Sequence, residues 1–237
     1  MGILDYFSRG YVINLPSRTD RRRETEAMFR RVGLVDWREH IEFHAATRPR
    51  SAEGYASLGA RGGLLSHTAV LRKALDQGAR NVLVMEDDLE ISPEFVAKGE
   101  AIAEALDREE WGFAYFGHCL DDLGEPIPGR PLQRYDGPIL LAHFLAVNGT
   151  VLPRLVEFME SVDKRPAGHP DGGPMFADGA LTFFRMRNPD VLTLAANPNL
   201  GLQRSSKSDI TTRWFDEIPG VGAVARPLRR VKRWLKR

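Results

Sequence analysis

Asn81-Val-Leu-Val-Met-Glu-Asp-Asp-Leu-Glu-Ile-Ser92 is the stretch that decides the fold. Its apolar run from Val82 to Met85 ends abruptly in three carboxylates, Glu86, Asp87 and Asp88. A short apolar run bounded by turn signals reads as a strand buried on both faces. Carboxylates at the end of such a strand sit on the rim of a sheet, where α/β proteins place their ligands. Side chains alternate along a strand, so Glu86 and Asp88 are expected to point one way and Asp87 the other. Two convergent carboxylates make a hard-oxygen site suited to Mg²⁺ or Mn²⁺ and, through that ion, to a diphosphate. The plainer reading of the same residues is an acidic surface turn.

The residues before this stretch repeat a strand–helix rhythm. Tyr11-Val-Ile-Asn-Leu15 reads as a first strand ending at Pro16-Ser17. A helix is expected over Glu24 to Val32, with Ser17, Thr19 and Asp20 as candidate caps. The arginines of Arg18-Thr-Asp-Arg-Arg-Arg23 then face the same rim as the acidic triplet, where guanidinium suits phosphate or a nucleobase edge. Ile41-Glu-Phe-His-Ala45 predicts a second strand. Thr47 to Gly63, with Pro49 and four glycines, reads as a mobile loop or lid. Leu64 to Leu75 is apolar at helical spacing and ends before Gly78, with Ser66 and His67 in its first turns. A lone helical histidine is more often structural than catalytic.

After the triplet, Ser92-Pro93-Glu94 starts a helix to about Leu106, and Trp111 to Gly117 is another buried strand. Asp121-Asp122 reads as a solvated turn in a Gly/Pro-rich loop through Pro138. Ile139 to Val151 is strongly apolar, and Pro153 to Val162 suits a helix. In Gly172-Gly-Pro-Met-Phe-Ala-Asp178 a loop delivers one aspartate to the start of an apolar helix, where backbone amides normally keep it ionised. Val191 to Ala195 is a last strand, and the polar Asn199 to Ile210 can wrap a diphosphate or be a plain loop. Alternating strands and helices argue for an α/β fold with a largely parallel sheet.

Composition narrows the class. The chain has 237 residues, 43% hydrophobic and 27% charged, ordinary for one large α/β domain. A single cysteine, Cys119, excludes an internal disulfide and favours a reducing compartment. No apolar run approaches the roughly 20 residues that span a bilayer, and Met1 to Gly10 lacks the pattern of a secretion signal. A cytoplasmic protein is the expectation. The P-loop and Gly-rich dinucleotide patterns are absent, as is any paired Cys or His zinc cluster. The net charge of +1 conceals seven Lys or Arg and no acid between Arg226 and Arg237, so the body carries about −6. Leu228, Val231, Trp234 and Leu235 form an apolar stripe there, so residues 226–237 read as a basic amphipathic helix for an anionic membrane surface. Nucleic acid is the less favoured partner, because the body is acidic and shows no aromatic stacking platform.

Several of these residues occur together in one known family. Val12-Ile-Asn14-Leu15, Arg21-Arg22, Phe43-His-Ala45, Gly63-Leu-Leu-Ser66-His67, Glu86-Asp87-Asp88, Asp178 and Gln203…Ser208-Asp209-Ile210 follow one another in order. The pattern, spanning roughly residues 11 to 211, resembles glycosyltransferase family 25, the lipooligosaccharide galactosyltransferase-like proteins that include the collagen galactosyltransferases. Two departures stand out: Leu65 replaces the cysteine or small residue common before the Ser-His pair, and Leu141 to Pro153 matches poorly.

The resemblance implies a GT-A fold, one Rossmann-like α/β domain over residues 1–218, followed by a linker and the basic tail over 219–237. It implies an inverting transfer of a hexose, usually galactose from UDP-galactose, onto a saccharide or glycolipid. Asn14, Leu15, Arg18 and Arg21 would line the nucleotide pocket, with Ser66 and His67 beside the sugar or phosphates. Glu86, Asp87 and Asp88 would be the metal motif, with Asp88 the foremost ligand for Mn²⁺ or Mg²⁺. Gln203, Ser208 and Asp209 would close over the diphosphate, and Asp178 would be the base. A lipid-linked acceptor would place the enzyme on the inner face of the cytoplasmic membrane. The rival readings are a non-catalytic nucleotide-sugar-binding relative and another metal-dependent nucleotidyl or phosphoryl transferase.

Overall fold

The computed structural model describes residues 2–121 and 123–204. Ser208, Asp209, the expected boundary at 218 and the basic stretch 226–237 lie outside the described residues, as does Asp122. The elements run α1 (Ile3–Tyr6), β1 (Arg9–Asn14), α2 (Thr19–Arg31), α3 (Trp37–His40), β2 (Ile41–Ala45) and α4 (Leu58–Asp76). They continue with β3 (Asn81–Glu86), β4 (Leu89–Ile91), α5 (Pro93–Ala97), α6 (Gly99–Asp107), β5 (Trp111–Gly117) and β6 (Leu132–Arg134). Last come β7 (Phe144–Asn148), α7 (Leu152–Lys164), α8 (Ala177–Arg187), β8 (Leu192–Ala196) and β9 (Gly201–Gln203).

The main sheet has the order β2-β1-β3-β7-β5-β8-β6, with β9 joining β4 to β5. Strands β2, β1, β3, β5 and β8 run one way, while β7 and β6 run against them. The sheet is therefore mostly parallel, as the strand–helix alternation implies. Both of its faces are covered. Along β3, Leu83 and Met85 enter a core with Met28, Phe29, Phe95 and Ile102. Val82 and Val84 enter the opposite core with Leu64, Leu71, Leu155 and Leu181. That two-sided burial is why the strand is continuously apolar. Cutting Leu83 back to alanine would cost about 3 kcal/mol.

Four expectations change. The lid is shorter, because α4 starts at Leu58 behind Ser57, whose hydroxyl accepts the Ala60 N–H at 3.0 Å. The remaining loop is tied down: the Thr47 N–H donates to Ser66 Oγ at 2.8 Å, and Arg61 joins Ser51 to Asp163. Gly62 permits this close approach, since a Cβ there would lie 2.8 Å from the Thr47 carbonyl oxygen. The helix expected over residues 93 to 106 is two, α5 and α6, with Gly99 packed on Ile3 of α1. The arginines of residues 21–23 lie inside α2, whose N-cap is Arg18 with no side-chain cap bond. Finally, residues 87 and 88 form a turn, and β4 begins just past it.

Candidate functional site

Because β1, β2 and β3 are parallel, Asn14, Ala45 and Glu86 end at one rim. The turn after Glu86 stops the strand alternation there, so the expected pairing of Glu86 with Asp88 against Asp87 does not form. Glu86 faces α4, where its Oε1 meets His67 Nε2 at 3.0 Å. Asp87 and Asp88 face α2 instead. Burial works against the charge on Glu86, but the His67 bond, with the charges of His67, His143 and Arg21, outweighs it and holds this carboxyl below its usual range.

Asp87 is buried and both of its oxygens are used. Asn14 Nδ2 donates to Oδ2 at 2.7 Å, and Arg21 donates to Oδ1 at 2.8 Å. Its carbonyl accepts from Thr25 Oγ1 at 3.0 Å and from the Arg204 guanidinium at 2.6 Å. Asp87 is the knot that ties β1, α2 and the acidic turn together, with both carboxylate oxygens bonded to protein donors. Arg18 pairs with Asp20 at 2.8 Å, and its N–H closes a turn onto the Leu15 carbonyl. Ser66, expected beside the donor, is bonded to the backbone on two sides. Its hydroxyl accepts from the Thr47 N–H and donates to the Gly62 carbonyl at 2.6 Å, so it braces the loop.

Asp88 is less well matched. Gln203 Nε2 lies 3.3 and 3.4 Å from its two oxygens, and Arg21 stands 3.7 Å away. Burial, with the Glu86 and Asp87 charges, pushes its carboxyl up to about 6 against the pull of Arg21 and Gln203. Gln203 reaches it because β9 pairs with β4, setting Leu89 opposite Gln203. The next residue, Arg204, is a site residue that sequence reasoning missed. Its N–H donates to the Asp88 carbonyl at 2.7 Å, and its guanidinium also reaches Glu24 at 3.3 Å.

Asp178 sits in the first turn of α8, away from the turn but within reach of the Glu86 and His67 charges. Its Oδ1 accepts the Gly179 N–H at 2.8 Å and its Oδ2 the Leu141 N–H at 3.0 Å. Burial raises its proton affinity more than the two amides lower it. Leu141 takes φ +73° to present that amide, a backbone state rare for a branched residue. His143, also missed, accepts the Glu86 N–H at its carbonyl and donates from its ring to Gly201 at 3.3 Å.

Among the described residues, no group of three or more His, Cys, Asp or Glu side chains is arranged to hold a metal ion by itself. Asp88 nevertheless suits a divalent cation as one ligand of a shared shell. Its oxygens are hard donors, and its raised affinity for a proton marks a place short of positive charge. Mg²⁺-type sites commonly take one or two carboxylates and complete the shell with phosphate and water.

No protein-family model matches the chain, and no curated protein matches it. Solved structures do. One is a glycosyltransferase involved in the glycosylation of the major capsid of PBCV-1, with TM-score 0.51 and 12% identity over 84% of this chain and 93% of that one. Another is the 4-diphosphocytidyl-2C-methyl-D-erythritol synthase of Anaerococcus prevotii, at TM-score 0.43 and 14% identity over 94% and 98%. The fold is thus GT-A-like, a mixed α/β sheet flanked by helices. No helix among the described residues is long and apolar enough to cross a membrane.

Proposed function

We propose that the protein is an inverting glycosyltransferase of the family 25 type, moving galactose from UDP-galactose onto a saccharide or lipid-linked acceptor. One observation carries this reading. Two carboxylates with raised proton affinity, Asp88 and Asp178, stand on separate elements near one rim, with the Glu86–His67 pair within reach of Asp178. Inverting displacement needs that division: one side holds the leaving diphosphate, and the other takes a proton from the attacking hydroxyl on the opposite face.

Asn14 and Arg21, fixed by Asp87, hold the rim of the nucleotide pocket in place. Asp88 and Gln203 hold the diphosphate side. A bound Mn²⁺ or Mg²⁺ supplies charge neutralisation on the departing diphosphate. Asp178 receives the acceptor proton on Oδ1 or Oδ2, and its burial makes it a stronger base than an exposed aspartate. His67 holds Glu86 in place at the rim through its 3.0 Å bond to Oε1. The 226–237 stretch attaches the enzyme to anionic lipid, where a lipid-linked acceptor would be found.

Release of UDP from a panel of nucleotide sugars, with and without Mn²⁺, tests the reading. Chelator-sensitive UDP release with UDP-galactose is expected. Pyrophosphate release from a nucleoside triphosphate would point to a nucleotidyl transferase, and binding without turnover to a non-catalytic relative.

A further inference from the structure

Three side chains on one face of α8, at positions 178, 182 and 185, bond to the backbone of one irregular segment, residues 135–141. Spacings of four and three residues put them in line along a helix. Arg185 is buried, and its NH2 donates to the carbonyls of Tyr135 at 3.0 Å and Gly137 at 3.2 Å. Its Nε donates to Thr193 Oγ1 at 2.7 Å, which anchors the guanidinium on β8. Thr182 Oγ1 donates to the Ile139 carbonyl at 2.6 Å and accepts the Ile139 N–H at 3.2 Å. Asp178 accepts the Leu141 N–H. Alternate residues 135, 137, 139 and 141 thus meet successive turns of the helix. Asp178 is the last rung of that ladder, and the Leu141 backbone is strained at the same point.

We propose that residues 135–141 are a strap that α8 holds through this ladder, and that Thr182 and Arg185 are positioning residues fixing the amide that orients Asp178. The inference rests on Asp178 being the base. Each lower rung removes freedom from the strap before Leu141 is reached. A strap held only by Asp178 would relax its positive φ and carry the amide away from the carboxylate. The carboxylate would then stand within electrostatic reach of Glu86, His67, Tyr115 and Cys119 with one donor fewer. Its protonated form would gain.

The strap has a reporter that is independent of turnover. Cys119, the chain's one cysteine, is exposed, and its Sγ lies 4.0 Å from the Leu140 carbonyl oxygen. Alkylation of Cys119 by iodoacetamide therefore reads the strap's position directly.

The experiment compares wild type, Thr182→Val, Thr182→Ser and Arg185→Lys in the full chain. Thr182→Val is expected to change the Cys119 alkylation rate several-fold. It should also lower kcat about tenfold with KM nearly unchanged, and move the acidic limb of kcat to higher pH, as loss of an oriented donor requires. Thr182→Ser, which keeps the hydroxyl, should restore all three. Arg185→Lys loses the forked reach and should repeat the Thr182→Val pattern more weakly, giving a second variant if the first does not fold. Wild-type alkylation in both Thr182→Val and Arg185→Lys would overturn the strap. If Asp178→Asn instead retained full activity, the base reading would fail while the Cys119 result still judged the ladder.

Discussion

Asp87 and Asp178 are aspartates near the same sheet rim, and they are held in opposite ways. Asp87 has a guanidinium on one oxygen and a primary amide on the other, and its carbonyl is bonded twice more. Asp178 has two backbone amides and, among the described residues, no ion pair. A carboxylate saturated by a cation and an amide is a structural knot, because moving it breaks bonds that three elements share. One held only by backbone donors in a buried place can hold or release a proton with little rearrangement. Asp88 falls between them, with Arg21 at a distance and Gln203 loosely placed. The three carboxylates therefore grade from fully bonded to loosely held.

The largest effect expected from this contrast is at Asp178. Asp178→Asn keeps an acceptor for the Leu141 amide but removes the base, so kcat should fall by a factor on the order of 10³ while donor binding stays the same. A fall of less than tenfold in steady-state kinetics would erase the distinction between the two aspartates. At the other end, Arg21→Met leaves Asp87 buried without its cation. It should destabilise the fold by about 3 kcal/mol, measured by urea unfolding. Near-native stability in that variant would mean the knot is not structural.

Asp88→Asn tests the intermediate case. The folded-state value of Asp88 is about 6 against an ordinary 3.8, so the unfolded chain releases its proton first as pH rises. Folding stability is then whole below about pH 4 and falls as pH rises through about 6. Asn carries no charge to bury, so the variant should gain about 3 kcal/mol at pH 7 and little at pH 4. Equal stability of the two proteins at both pH values would contradict the charge shortage at Asp88. A smaller and subtler expectation concerns pH: the acidic limb of kcat should lie above the range of an exposed aspartate, because Asp178 is ionised only above its raised value. A profile flat down to pH 4 would argue against it. The least effect on catalysis is expected from deleting residues 226–237, which should abolish sedimentation with anionic vesicles and leave turnover of soluble substrates intact. Unchanged sedimentation would end the membrane reading.

Much of this was legible in the sequence, and the rest was hidden for physical reasons. Val82 to Met85 and Trp111 to Gly117 announced central strands because two-sided burial leaves no polar position to obscure them. The acidic triplet and Asp178 stood out because charges at the ends of buried elements need a reason, and the structure buries Asp87, Asp88 and Asp178. The direction of each carboxylate was not legible. A two-residue turn at 87 and 88 broke the strand period, and the two aspartates there suit a turn as well as the rim of a strand, so the sequence left both readings open. Arg204 was missed because its bonds go to backbone carbonyls of a distant turn. The strap was invisible for the same reason, since bonds from Thr182 and Arg185 to main-chain atoms place no demand on the identity of residues 135–141. The desolvation of Asp178 also had no sequence signature, because it depends on how closely the strap and α8 approach.

The central claim is that Asp88 serves the leaving diphosphate and Asp178 the proton, with Asp87 serving neither directly. Calorimetric titration of UDP into wild type, Asp88→Ala and Asp178→Asn, each with and without Mn²⁺, tests it without needing the acceptor. The account predicts that Mn²⁺ tightens UDP binding equally in wild type and Asp178→Asn, and that Asp88→Ala loses the Mn²⁺ enhancement. Metal-enhanced UDP binding that survives in Asp88→Ala, or disappears in Asp178→Asn, would contradict it.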